Sequence, residues 1–129
     1  MPKRRTFNKD MKNKKMNSSV YALRRKVINI IYEAKKLVDL PRVEVRITEA
    51  DTTNPRTLAQ AALGDRVVWV AEKTVKNYTP TQLRHVVFHE LLHAVFGTRH
   101  VDGCKLMGAF LTKTTKAEQN KLFKKYANA

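Results

Sequence analysis

The sequence lacks the features that cross-link a chain or anchor it in a membrane. It has 129 residues and a single cysteine, Cys104, so it cannot form an internal disulfide. No apolar run approaches the roughly 18 to 20 residues that cross a bilayer, and the first 19 residues hold no apolar segment typical of a secretory signal. These absences predict no membrane partner and a reducing setting, either the cytoplasm or a viral or organellar interior.

Acidic residues are also scarce. The chain has 26 Lys and Arg against 11 Asp and Glu, which gives a formal net charge of +15 at pH 7. This excess excludes an ordinary acidic enzyme and favours DNA or RNA as a partner. Hydrophobic residues make up 43% of the sequence, so length and composition together predict one domain with a modest core.

Positive charge is most concentrated at the start of the chain. In residues 1–18, Asp10 alone opposes a run of basic residues: Lys3, Arg4, Arg5, Lys9, Lys12, Lys14 and Lys15. Because such a segment repels itself and buries little, we predict a flexible basic tail over 1–18 and a folded domain over 19–129. The tail either contacts nucleic-acid phosphates or only keeps the protein soluble.

Hydrophobic periodicity predicts a helix and then a strand at the start of the domain. The helix begins near Ser18 or Ser19, either of which can cap it, and Pro41 prevents it from continuing. Apolar residues recur between them at spacings of three and four, which gives one buried stripe. Residues 42–48 alternate apolar and polar side chains, as a half-buried strand does.

The next segment predicts a loop followed by a hairpin. Residues 49–56 are rich in polar residues and contain a proline, which is typical of a loop. Residues 57–63 and 66–71 then predict two strands joined by a tight turn at Gly64–Asp65.

A second long helix is predicted over 80–96. Thr79 can cap it, Pro80 suits the first helical position, and Gln82 can complete a capping box. Gly97 follows the last apolar position and fits a left-handed cap at the helix end.

A third helix should close the chain. Thr115 and Glu118 predict another capping box, and the helix runs to about Tyr126 after an irregular segment over 98–114. The order of elements predicts an α+β domain. A small, mixed or mostly antiparallel sheet would pack on the N-terminal helix and on the helix over 80–96, with the C-terminal helix added.

The helix over 80–96 contains the motif His89-Glu90-Leu91-Leu92-His93. Histidines four residues apart lie on one helix face, where both imidazoles can bind a single Zn²⁺. Glu90 is rotated by roughly 100° from His89, so it can act on a zinc-bound water as general base without being a ligand. The alternative is a pair of surface histidines beside Glu90. The apolar residues around the motif argue against that alternative, because they draw the helix into the core.

A catalytic zinc site needs a third protein ligand and one free position. Gly97 lets the chain turn back towards the helix, and His100 follows three residues later, so His100 is the first candidate. Asp102 is the main rival. Cys104 comes next, although a lone cysteine is more often a buried structural residue.

The segment from His89 to His100 resembles the extended zinc motif of metzincin metalloproteases, H-E-x-x-H-x-x-G-x-x-H, with one extra residue before Gly97. The resemblance extends loosely over 42–107, and its specific part is 89–107. It implies a minimal zincin-like fold in which Met107, within Cys104-Lys105-Leu106-Met107, is the methionine of a Met-turn beneath the metal. It also implies that a sheet edge binds an extended peptide substrate, and 57–63 is the candidate strand.

Two related groups share parts of the pattern. The chain is similar to SprT-like and WLM proteases, which act on proteins crosslinked to DNA, in its compact size, basic charge and H-E-x-x-H motif. Bacterial rRNA-maturation metal hydrolases also carry three histidines on a comparable helix and turn, but they have glycine at the position of Glu90. The resemblance to the protease families implies a polypeptide substrate. It leaves open whether the basic charge serves to bind nucleic acid.

The leading hypothesis is therefore a zinc-dependent metallopeptidase with Glu90 as general base and His89, His93 and His100 as ligands. One alternative is a basic structural or packaging protein associated with nucleic acid, whose zinc site only stabilises the fold. Another is a metal-dependent RNA-processing hydrolase. His85, one turn before His89, should lie at the surface or behind the ligands, because a metal between His89 and His93 would be out of its reach.

Overall fold

The computed structural model describes residues 2–48, 59–109 and 111–128, and of residues 2–19 it describes the backbone alone. The α+β class predicted from the sequence is confirmed: the described residues form four helices and a small mixed sheet. No described helix combines the length and the apolar character needed to cross a membrane. In chain order, the elements are α1 (Pro2–Leu37), β1 (Glu44–Thr48), β2 (Ala59–Gln60), β3 (Val67–Ala71), α2 (Glu72–Asn77), α3 (Pro80–Phe96) and α4 (Lys116–Ala127).

The sheet has three strands in the order β1-β3-β2. β1 runs parallel to β3, with Val45 opposite Val68, whereas β2 runs antiparallel to β3, with Gln60 opposite Trp69. The central strand β3 is the most apolar one, and its Val68 and Val70 are fully buried. An almost continuous apolar run is expected of a strand that is covered on both faces.

The C-terminal half of α1 covers part of the core. Its apolar stripe packs against β1 and α3, as the periodicity predicted, and consists of Leu23, Val27, Ile30, Ile31 and Ala34. The helix ends at Leu37, a few residues before Pro41. It therefore stops close to where the proline geometry requires.

The predicted start of α1 at Ser18 or Ser19 was wrong, because the helix begins at Pro2. Its first half is rich in Lys, Arg and Met, which favour helices, and contains no Gly or Pro after Pro2. A helix that is already formed by packing can extend without the cost of a new nucleus. Whether residues 1–18 move separately from the domain stays a prediction.

The hairpin is looser than the predicted tight turn at Gly64–Asp65. β2 has only two residues, and residues 61–66 connect it to β3. The connection bonds to α3 instead of extending the strand ladder: the Gly64 N–H donates to the His93 carbonyl at 3.0 Å, and the Arg66 N–H donates to the Ala94 carbonyl at 3.1 Å. The predicted loop over 49–56 and residues 57 and 58 of the predicted strand lie outside the described residues.

Both predicted capping boxes are present. At the start of α3, the Gln82 N–H donates to the Thr79 hydroxyl at 3.2 Å and the Thr79 N–H donates to the Gln82 side chain at 3.0 Å. Thr115 and Glu118 form the same pair of bonds at the start of α4. Gly97 ends α3 with φ 65°, a left-handed conformation that glycine adopts without strain. The caps at Thr79 and Gly97 fix where α3, the helix that contains the His89–His93 motif, begins and ends.

α4 is held against α3 by aromatic packing. The fully buried Phe123 ring lies 4.7 Å from the ring of Phe88 and 6.3 Å from that of Phe96, between ring centroids. Offset and edge-on aromatic pairs of this kind add to the stability gained from burial. The C-terminal helix is thus part of the core that positions α3.

We expect Phe123→Ala to lower the free energy of unfolding by about 3 kcal/mol or more, because it leaves a cavity between α4 and α3. Urea denaturation followed by circular dichroism measures the change. The exposed Leu63→Ala should shift stability by less than about 0.5 kcal/mol. Equal effects of the two substitutions would show that α4 is not docked as described.

Candidate metal centre

α3 brings His89 and His93 together, one helical turn apart. Their ring centroids are 4.6 Å apart with the rings nearly perpendicular, and the two Nε2 atoms are 3.0 Å apart. This approach follows directly from the i, i+4 spacing, which places both side chains on one face of the helix.

Backbone carbonyls fix the protonation of both rings. The His89 Nδ1 lies 2.7 Å from the Leu106 carbonyl, and the His93 Nδ1 is bonded to the Thr98 carbonyl. Because a carbonyl can only accept, each Nδ1 must carry the hydrogen. In a neutral imidazole the other nitrogen then has a bare lone pair. The two Nε2 atoms therefore face each other as acceptors.

His100 completes the cluster from the loop that follows α3. Its Nε2 lies 3.2 Å from the His89 Nε2, and the three ligand nitrogens lie within 4.8 Å of one another. Gly97 makes this return possible, since its left-handed cap redirects the chain and the Thr98 N–H then donates to the Leu92 carbonyl at 3.0 Å.

The two rival ligands do not join this cluster. Among the described residues, the group able to hold a metal is His89, His93 and His100, without Asp102 or Cys104. Those two residues instead line a separate cavity of about 440 Å³ that also contains Tyr126. Of the alternatives left open by the sequence, the structure therefore brings His100 to the other two histidines.

The spacing of the three nitrogens suits a bound metal ion. Ligand nitrogens at 2.0–2.1 Å from one tetrahedral ion are about 3.3 Å from each other, close to the observed 3.0 and 3.2 Å. Three histidines also leave one tetrahedral position without a protein ligand. The cluster could therefore hold a metal ion and still admit a further ligand.

Burial keeps the helix histidines neutral. It lowers the pKa of His89 to about 4, an effect that the hydrogen bond to Leu106 partly opposes. Burial likewise lowers the pKa of His93, and the nearby His100 lowers it further. At neutral pH both rings therefore present unprotonated nitrogens, the form that a metal requires.

Glu90 is buried beside the cluster, and one of its carboxyl oxygens has no hydrogen-bond partner among the described residues. Its side chain is almost fully enclosed, and its Oε1 lies 3.9 Å from the His89 Nε2. Its Oε2 is buried without a hydrogen bond to any described residue. Burial raises the pKa of this carboxyl to about 8. A cation at the cluster would offset this cost by stabilising the carboxylate.

The loop over 101–108 supplies the carbonyl that orients His89, a contribution that the motif alone did not reveal. The Val101 N–H donates to the Met107 carbonyl at 2.8 Å, and the Gly108 N–H donates to the Cys104 carbonyl at 2.9 Å, so the turn is tied at both ends. Met107 is fully buried in the core. The turn resembling a Met-turn thus positions Leu106, whose carbonyl bonds to the histidine.

His85 does not belong to the cluster, as expected from its position one turn before His89. It is buried and not at the surface, with its Nδ1 2.7 Å from the Thr114 hydroxyl. Thr114 also accepts a hydrogen bond from the Gln119 amide at 3.0 Å. This fourth histidine links α3 to α4 and offers a natural control for the other three.

Comparison with known proteins gives no further assignment. No family model matches the chain, and neither the curated proteins nor the solved structures contain a match. The resemblance of 89–107 to zincin motifs therefore stands on the residues themselves.

We expect the metal-free protein to lose stability as pH rises from about 6.5 to 8. Below this range the lowered pKa values of the buried histidines His85, His89 and His93 have the opposite effect. Glu90 has a higher pKa in the folded state, so the folded protein holds a proton that the unfolded chain releases, and folding weakens as pH increases. Urea denaturation at several pH values in the presence of a chelator measures this slope. Glu90→Gln should flatten it, while the exposed Glu44→Gln should not. A slope unchanged by Glu90→Gln would contradict the described burial.

Proposed function

We propose that this protein is a zinc-dependent metallopeptidase in which Glu90 is the general base. The observation that supports the proposal is a cluster of three histidine side chains next to the buried carboxyl group of Glu90. The Oε2 of this carboxyl group has no hydrogen-bond partner among the described residues. A purely structural metal site would have no use for such a carboxylate, since it is costly to bury and supplies no ligand.

Zinc is the metal that suits this donor set. Three neutral imidazoles are a common ligand set for catalytic zinc, whereas magnesium and calcium prefer oxygen ligands. The carbonyls bonded to the two helix histidines play the part of outer partners that orient metal ligands in known sites. His89, His93 and His100 would hold the ion.

In the proposed reaction, the metal ion and Glu90 have separate roles. When bound, zinc supplies a Lewis acid that lowers the pKa of a coordinated water and polarises a carbonyl oxygen. Glu90 accepts a proton from the attacking water at its carboxylate and later donates it to the leaving amine. The enclosed position of Glu90 supports this role, because it raises the basicity of the carboxylate and excludes competing solvent.

An extended polypeptide is the substrate that the sheet geometry favours. β2 is an edge strand, paired on one side with β3, and extended peptides add to such edges by backbone hydrogen bonds. The loop after β2 bonds to the carbonyls of His93 and Ala94, which ties this edge to the end of α3. With only two residues in β2, we expect weak activity on generic peptides.

The charge of the chain supports a narrower choice of substrate. A net charge of +15 favours contact with proteins that are themselves bound to DNA or RNA. The single cysteine supports a reducing, cytoplasmic setting for this activity.

We expect the purified protein to bind one zinc ion per chain. His89→Ala, His93→Ala and His100→Ala should each weaken binding by more than about 100-fold, since losing even an outer partner costs about 10- to 100-fold. Elemental analysis after dialysis against competing chelator measures the metal, with His85→Ala as the matched control. Retention of zinc by a variant that combines all three substitutions would refute the site.

We expect Glu90→Gln to retain zinc and lose at least about 100-fold in peptide-bond hydrolysis, because the amide cannot accept the proton. Cleavage of casein and of a basic nucleic-acid-binding protein, followed by mass spectrometry, measures activity, with Glu44→Gln as the control. Zinc-dependent cutting of RNA but not protein would instead favour the RNA-processing hydrolase. Zinc binding with no Glu90-dependent cleavage of either would favour the structural protein.

A further inference from the structure

The side of α1 that faces away from the core carries an unusual combination of exposed residues. Tyr21 and Tyr32 have 58% and 51% of their surface exposed, although tyrosine is usually half-buried or better. They are eleven positions apart in the sequence, so they lie within about 20° of each other around the helix and about 16 Å apart along it. Arg25 and Lys36 follow them by one turn each and are also exposed. We call these four residues the outer face of α1.

Charge on this surface is of one sign. Arg24 and Lys35, both exposed, flank the outer face, and the Lys35 Nζ lies 5.3 Å from the centre of the Tyr32 ring. The acidic residue in this half of the helix, Glu33, is turned towards Arg84, with its Oε1 3.2 Å from the Arg84 Nε. No carboxylate therefore neutralises the described part of the outer face.

The sequence of the same helix contains further basic residues in its first half. α1 has 36 residues, a length of about 54 Å. Its first half contains, by sequence, Lys3, Arg4, Arg5, Lys9, Lys12, Lys14 and Lys15. Like charges at neighbouring turns repel, so a helical segment of this composition gains stability from a bound polyanion.

We propose that the outer face of α1 binds single-stranded nucleic acid. Arg25 and Lys36 would pair with phosphates, while Tyr21 and Tyr32 would stack on unpaired bases. Aromatic rings interleaved with cations along one surface are the combination that proteins use to hold a single strand. A stacking role also accounts for two large aromatic side chains left in water. This inference does not depend on the metallopeptidase proposal.

Nucleic acid fits this surface better than a lipid membrane does. A membrane-surface helix needs a broad apolar face beside its basic face. In the described half of α1, most aliphatic side chains pack in or against the core, and Val20 is exposed. By the same geometry Ile28 lies between the two tyrosines on this side of the helix, but it is half-buried and packs against the core. One half-buried aliphatic side chain is not the broad apolar face with which the tyrosines could enter a bilayer.

Fluorescence anisotropy with labelled oligothymidylate, its RNA counterpart and a duplex of equal length tests the proposal. We expect tighter binding of both single strands than of the duplex. Tyr21→Ala/Tyr32→Ala should weaken single-strand binding by roughly tenfold or more with the salt dependence unchanged. Arg25→Gln/Lys36→Gln should reduce the slope of log K against log salt by about 0.7 for each phosphate that no longer pairs with a cation.

The matched control is Lys121→Gln/Lys124→Gln, which removes the same charge from exposed positions on α4 and should leave affinity nearly unchanged. Circular dichroism verifies that each variant is folded. The proposal is overturned if the control weakens binding as much as the outer-face variants, or if the tyrosine variant binds like the wild type. It is also overturned if phosphatidylserine vesicles bind in preference to nucleic acid. Glu90→Gln should bind oligonucleotide normally, which separates this result from any failure of the peptidase proposal.

Discussion

Two hydrogen bonds between imidazole and backbone determine the chemistry available to this protein. The carbonyls of Leu106 and Thr98 accept hydrogen bonds from the Nδ1 atoms of His89 and His93. Each Nε2 is therefore left with a bare lone pair, and the two Nε2 atoms are 3.0 Å apart. Two acceptors at that distance repel unless a cation lies between them. Burial opposes protonation of these rings, so a metal ion is the cation that fits. A cation at this position would also stabilise the buried carboxylate of Glu90, whose pKa is raised by burial.

The sequence allowed the motif helix to be predicted almost to the residue. Thr79, Pro80 and Gly97 are local signals, since capping and left-handed geometry depend on residues within one turn. The approach of His89 to His93 is likewise a local consequence of helix geometry. Even the return of His100 could be expected, because a glycine and a short loop leave the chain few directions.

The features that could not be predicted depend on distant parts of the chain. Every residue has a carbonyl, so nothing in the sequence marks Leu106 as the partner of a histidine 17 positions earlier. β2 is short because the loop over 61–66 bonds to the end of α3, a tertiary effect without a local signal. The short helix α2 begins at Glu72, and its N-cap residue Ala71 forms no side-chain cap. The helix therefore lacks the sequence signals that identified α3. The predicted start of α1 was wrong because helical propensity and charge repulsion compete in its first half. The density of positive charge does not by itself show which of the two effects is larger.

The central claim is that a metal ion binds between the three Nε2 atoms of the histidine cluster. Diffraction from crystals grown with zinc and measured across the zinc absorption edge locates the ion directly. The account predicts one anomalous peak about 2.0–2.1 Å from the Nε2 atoms of His89, His93 and His100, with the remaining position open to water on the side of Glu90. A peak elsewhere, or a fourth protein side chain filling that position, would contradict it.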